Sequence, residues 1–141
     1  MMQLKRHVGY IGLGLMGGAM ARHLVDTGWP LTVYDVRPEA MEDLAEFGAE
    51  RADSPRAVAE ATDLVITSLP NPSDVEAVAL GADGIIHGIR PGQVYIDMST
   101  VDPATTRKVG AEIERPVDAR LGEHPLRRAG GAGVLGHRRR P

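Results

Sequence analysis

The chain has 141 residues, a length that suits one ordinary domain, and its 43% hydrophobic and 25% charged content marks the bulk as globular. The absence of cysteine excludes disulfide frameworks, thiolate nucleophiles and cysteine-type zinc sites. The formal charge of −3 divides into −8 over residues 1–114 and +5 over residues 115–141, so the body repels nucleic acid and the tail differs in character.

His7 to Ile11 is a short apolar run that stops at a glycine, which predicts a first strand. From Met16 to Asp26 the apolar residues Met16, Ala19, Met20 and Leu24 fall on one helical face, and Gly28 stops the helix. Leu31–Val36 reads as the second strand. Pro38–Phe47 reads as a helix, with proline in its first turn and Gly48 beyond its end. Ser54-Pro55 has the form of a cap and first helical position, opening a helix to about Ala61. Leu64–Thr67 is the next strand, Ser73–Leu80 a short helix and Val94–Met98 a further strand. Asp102-Pro103 opens the last helix, which runs to about Glu114. Strands alternating with helices at these lengths predict an α/β fold, a Rossmann-type doubly wound parallel sheet covered on both faces. The sheet is expected to be truncated and followed by an irregular tail. Residues 115–141 hold five glycines, three prolines and seven arginines, with no sustained strand or helix pattern.

The first strand runs into Gly12-Leu13-Gly14-Leu15-Met16-Gly17, a G-x-G-x-x-G that opens a helix. A second strand ends in Asp35, in the segment Val33-Tyr34-Asp35-Val36-Arg37. Strand, glycine loop, helix and strand-end acid together form a dinucleotide-binding fingerprint. Gly12 permits the tight turn, Gly14 the approach of a pyrophosphate to the backbone, and Gly17 close packing behind it. The helix N-terminus supplies amides and a positive dipole end. A carboxylate at Asp35 accepts from adenosine ribose hydroxyls and repels a 2′-phosphate, which favours NAD over NADP. Arg37 acts against that preference, because a guanidinium pairs with phosphate.

The string GLGLMGGAMARHL at Gly12–Leu24 strongly resembles the β-hydroxyacid dehydrogenase family, especially the 3-hydroxyisobutyrate dehydrogenases. VYDVRPEA at Val33–Ala40, ITSLPNPSDVEAV at Ile66–Val78 and YIDMSTVDPATTRKV at Tyr95–Val109 agree in order and spacing. The resemblance covers roughly residues 8–114. It implies that Leu69, Pro70 and Asp74 lie beside the cofactor, as do residues 12–17 and 35–37. It also implies that Ser99 contacts the substrate carboxylate and that Thr100 lies on the nicotinamide side. The implied reaction oxidises a short 3-hydroxyacid alcohol with NAD. Cytoplasmic placement, no membrane partner and no nucleic-acid partner are the accompanying expectations.

The same resemblance implies a general acid/base lysine, a glycine-rich Asp-Ala-Pro-Val-Ser-Gly-Gly segment and a helical C-terminal domain that mediates dimerisation. The only lysines are Lys5 and Lys108, and neither sits in a matching motif, so no catalytic residue is assigned. The five histidines show no metal-ligand spacing, so no metal site is expected. Asp118-Ala119 begins like the family's loop, but Arg120 follows. With CGN arginine and CTN leucine codons, a one-base forward shift from Arg120 permits Val-Ser-Gly and, over Gly133–Arg140, Gly-Ser-Leu-Ala-Ile-Val-Val-Gly. Both resemble the family's next segments, in order. Residues 115–141 are therefore expected to be a non-native, frameshifted, disordered tail after a dinucleotide-binding domain at 1–114, with the usual oligomer surface missing. The alternatives are a stand-alone dinucleotide-binding or regulatory module without catalysis, and a nucleic-acid binder using Arg138-Arg139-Arg140. No aromatic residue accompanies that last cluster.

Overall fold

The computed structural model describes residues 5–115 and the backbone of 133–134. Strands β1 (Val8–Ile11), β2 (Leu31–Tyr34), β3 (Glu50–Arg51), β4 (Leu64–Thr67), β5 (Val94–Asp97) and β6 (Gly133–Val134) form one sheet in the order β3-β2-β1-β4-β5-β6. Every pairing is parallel, and β1 lies between β2 and β4. The strand order therefore reverses beside β1, where open α/β sheets bind ligands. Helices α1 (Leu15–Asp26), α2 (Pro38–Ala45), α3 (Pro55–Ala61), α4 (Pro72–Leu80) and α5 (Pro103–Glu114) make the connections, with a 3-10 turn at Ile85–His87.

All four residues of β1 are buried, as a central parallel strand requires. Alternate residues feed two cores. Val8 and Tyr10 pack with Ala21, Leu31, Val33 and Leu44 on one face, while Ile11 packs with Val58, Val65, Val75, Ile85 and Tyr95 on the other. Gly9 lies on the second face, where a Cβ would overlap Val58 Cγ1 and stand 3.0 Å from Thr62 Oγ1. Glycine here lets α3 sit directly on β1. The C-terminal carbonyls of α3 are taken up from outside the helix. The Gln93 amide donates to Ala59 O at 2.8 Å and also to Thr62 O, and the Arg90 guanidinium donates to Glu60 O at 2.7 Å.

Several expected boundaries move. β2 ends at Tyr34 rather than Val36, because Asp35 Oδ1 accepts from Arg37 N at 2.9 Å and turns the chain out of the sheet. The second helix ends at Ala45, where Gly48 (φ +105°) donates to Ala45 O and closes the last turn. β3 was not expected. Both of its residues are exposed, so its pairing with Thr32 and Val33 is a backbone event with no apolar pattern. The expectation that residues 115–141 contain no strand is corrected at Gly133–Val134, which pair with Val94 and Tyr95. The edge of β5 offers unpaired backbone groups, and a two-residue ladder needs no side-chain periodicity. Residues 116–132 and 135–141, on which the non-native tail was also expected, lie outside the described ones.

Replacing Gly9 with alanine in the full chain is expected to cost about 1–3 kcal/mol, the usual penalty for overpacking a filled core. Adding Val58→Ala should relieve part of that penalty. Chemical denaturation of the two single variants and the double variant measures the coupling, and simple additivity would contradict the contact.

Candidate functional site

The loop after β1 is held by backbone. Gly12 N donates to Tyr34 O at 3.1 Å, and Ser68 N donates to Ile11 O at 2.9 Å, so the loop is fixed between the exits of β2 and β4. Gly12 has φ +94°, and a Cβ there would overlap the Ser68 carbonyl oxygen. A Cβ on Gly17 would overlap the Gly12 carbonyl oxygen. Gly14 is different, because beyond its chain neighbours and the backbone of its own helix no atom lies within 4 Å of where its Cβ would be. Two of the glycines answer to packing within the protein. The third leaves open space at the mouth of a helix.

That helix is α1, and its N-terminus is left unanswered. Helices α3 and α5 are capped by the side chains of Ser54 and Asp102, and α2 and α4 carry Glu39 and Asp74 in their first turns. Only α1, among the described α-helices, has neither a side-chain cap nor an acid in its first turn. Its first amides have no intrahelical acceptor, and the positive end of its dipole is uncompensated. Such an end accommodates an anion.

Asp35 stands across the loop and is 9% exposed. Its Oδ2 accepts from Leu13 N at 2.8 Å, and its Oδ1 accepts from Arg37 N at 2.9 Å and Arg37 Nε at 3.2 Å. Burial pushes this carboxyl up. The bonds from Arg37 N, Leu13 N and the Arg37 side chain outweigh burial and hold it below the usual aspartate range. The acid is therefore ionised in the folded protein at neutral pH.

The glycine loop, Asp35 and the exit of β4 enclose a cleft of about 540 Å³. Of the residues expected beside a cofactor, Gly12, Gly14, Met16, Gly17, Asp35, Val36, Arg37, Leu69, Pro70 and Asp74 line it. Four expected site residues do not. Leu13 turns its side chain into the core and offers only its backbone to the loop, and Leu15 projects into solvent at 95% exposure. Thr100 is exposed beyond β5, and Ser99 lies outside the lining. Sequence reasoning missed Ile11, Tyr34, Ser68, Ala77 and Val78, which complete the wall. Their positions at strand ends and on the inner face of α4 were the available signal.

Ser99 is tied to the cleft indirectly, since its Oγ accepts from Leu69 N at 2.8 Å. Asp97 Oδ1 accepts from Ser99 N and from Thr67 Oγ1, each at 2.9 Å. Because Thr67 spends its proton on Asp97, the buried Tyr95 hydroxyl donates to Thr67 Oγ1, at 2.9 Å. Burial pushes that phenol well above its ordinary range. Neither lysine lines the cleft. Lys108 pairs with Glu76 at 3.0 Å, and Lys5 lies over the Trp29 ring. No metal-binding cluster occurs among the described residues, and no described helix is long and apolar enough to cross a membrane.

Residues 7–119 match the family described as the NAD binding domain of 6-phosphogluconate dehydrogenase. The mitochondrial 3-hydroxyisobutyrate dehydrogenase of Mus musculus is 41% identical over 114 residues, which is 81% of this chain and 34% of that protein. A crystal structure of 3-hydroxyisobutyrate dehydrogenase from Salmonella typhimurium is 32% identical, with a TM-score of 0.68, over 74% of this chain and 36% of that one. The Mycobacterium tuberculosis 3-hydroxyisobutyrate dehydrogenase, solved with L-serine, is 29% identical with a TM-score of 0.69, over 77% and 36%. The chain spans about one third of the length of the curated relatives it matches.

The Asp35 bonds carry a pH signature. The carboxyl lies lower when folded than the value of about 3.9 it takes unfolded. Its contribution is therefore complete above about pH 4 and is lost as pH falls through the folded value. Asp35→Asn, which sets an amide against the Arg37 N–H groups, should cost about 1–3 kcal/mol at neutral pH. Denaturant midpoints measured from pH 7 to pH 3 should show the gap to wild type narrowing in acid. A gap independent of pH would show that the charge is not what the loop uses.

Proposed function

This chain belongs to the family of the NAD binding domain of 6-phosphogluconate dehydrogenase, and from that premise we propose that it is the cofactor-binding part of a 3-hydroxyisobutyrate-type dehydrogenase. The reaction is oxidation of a short 3-hydroxyacid by NAD. The observation that carries the reading is the pairing of an uncapped α1 N-terminus with a buried, ionised Asp35 across one cleft. The two ends of a dinucleotide half ask for opposite things. A pyrophosphate needs unshared amides and room, which Leu15, Met16 and Gly17 supply beside the open face of Gly14. A ribose diol needs a fixed acceptor, which Asp35 supplies. Leu13 contributes its backbone, Val36 and Arg37 form the rim, and Leu69, Pro70 and Asp74 form the wall toward α4.

NAD held by the glycine loop and Asp35 would supply the hydride acceptor for the alcohol carbon. The chain's own residues orient rather than exchange protons. Ser99 Oγ accepts from Leu69 N, which leaves its hydroxyl proton to donate to a substrate carboxylate, and Thr100 follows it on the nicotinamide side. Neither Lys5 nor Lys108 lies at the cleft, so the alcohol has no lysine base here. A second reading, a stand-alone dinucleotide-binding module without catalysis, draws support from β6, because the chain's own tail pairs with the edge of the sheet.

Isothermal titration should show NAD binding more tightly than NADP, because a buried carboxylate meets two hydroxyls in one case and a phosphate dianion in the other. Asp35→Ala should weaken NAD and narrow the difference. Equal or tighter NADP binding would overturn the assignment of Asp35. Assayed alone with 3-hydroxyisobutyrate and NAD, the chain should give no measurable turnover, since a positioned acid/base is typically worth about 10²–10⁴ in rate. Robust NADH formation would point to a base outside the lysines.

A further inference from the structure

We propose that the Arg37 side chain competes with the cofactor's ribose for Asp35, and that the hollow between α1 and α2 receives the guanidinium when the ribose wins. The proposal rests on the NAD reading above and concerns how strongly that site binds.

A carboxylate has about four acceptor positions. On Asp35, Oδ1 takes both Arg37 N and Arg37 Nε, and Oδ2 takes Leu13 N. One position remains, whereas a ribose presents two hydroxyls. The bonds from Leu13 N and Arg37 N belong to the turns that shape the loop. The bond from Arg37 Nε is the only one of the three that a side-chain rotation removes. Arg37 is free enough to make that move. Its side chain is 54% exposed against 9% for Asp35, and its other contact, from an Nη to Leu13 O, is a long 3.4 Å.

The destination is already built. Arg37 lines the main cleft and also a second hollow of about 320 Å³, whose wall carries the carboxylates of Glu39 and Asp43. The other cation there, Arg22, is already engaged, bonded to Asp26 at 2.9 Å and stacked 3.2 Å from the centre of the Phe47 ring. A displaced Arg37 guanidinium thus leaves one carboxylate for two others. The loss of its bond to Asp35 is offset, and positive charge leaves the ribose end of the cleft.

Arg37→Met keeps the length of the side chain and removes its donors. Titration with NAD should show binding about two- to fivefold tighter than wild type, the scale of a half-exposed ion pair. Arg37→Lys, which lacks the Nε donor but keeps the charge, should also tighten NAD. Glu39→Gln combined with Asp43→Asn should weaken NAD in the Arg37 protein and change nothing in the Arg37→Met background. Each variant is checked for an unchanged melting transition. NAD binding to wild type that Arg37→Met leaves unchanged or weakens would overturn the competition and leave the NAD reading standing. A wild-type chain that binds no NAD would overturn both.

Discussion

Two carbonyl oxygens govern the site. The Ser68 carbonyl stands where a Cβ on Gly12 would be, and the Gly12 carbonyl stands where a Cβ on Gly17 would be. This double approach brings the exit of β1 against the exit of β4 and seats the first turn of α1 on the loop that leads to it. One added methyl group at either glycine would collide with a backbone carbonyl and force this approach apart. The bonds from Gly12 N to Tyr34 O and from Ser68 N to Ile11 O then place that end between β2 and β4, where the strand order reverses. The position of the anion-accommodating end thus follows from steric exclusion, before any charge is considered.

Charge enters at Asp35. Burial pushes this acid toward its neutral form, which would weaken it as a fixed acceptor. Three N–H groups prevent that, and two of them are backbone groups from the turns the acid itself organises. The carboxylate and the local chain path therefore sustain one another. The positive end of α1 and the negative charge of Asp35 lie on opposite sides of one loop, so a single short segment presents both polarities to the same cleft.

Much of this was legible in the residues. The glycine spacing, the strand-end acid and the helix stops each have a local cause that acts through the backbone, and local causes leave a pattern. What escaped had no local signature. β3 and β6 are two-residue ladders formed by main-chain groups, so their side chains carry no period. Leu13 and Leu15 belong to the motif through their amides, but their side chains point to core and solvent, so the motif does not mark them as wall. Ile11, Tyr34, Ala77 and Val78 sit in an ordinary strand-and-helix pattern, and only the tertiary fold brings them together as a cleft wall. The pairing of Arg37 with Asp35 is a rotamer choice, which spacing does not encode.

The hydroxyl row Tyr95–Thr67–Asp97, with Ser99 and Leu69 attached, bears on the entropy of recognition. Each proton in the row has one direction to point, from the buried phenol outward to the carboxylate, and the last links join the segment after β4 to the segment after β5. Two loops that would otherwise fluctuate separately share one anchor in the core. A molecule that enters the cleft beside Leu69 meets a wall already ordered, so less of its interaction energy goes into stilling the protein. Rigidity gained when the chain folds thus reappears as affinity when it binds.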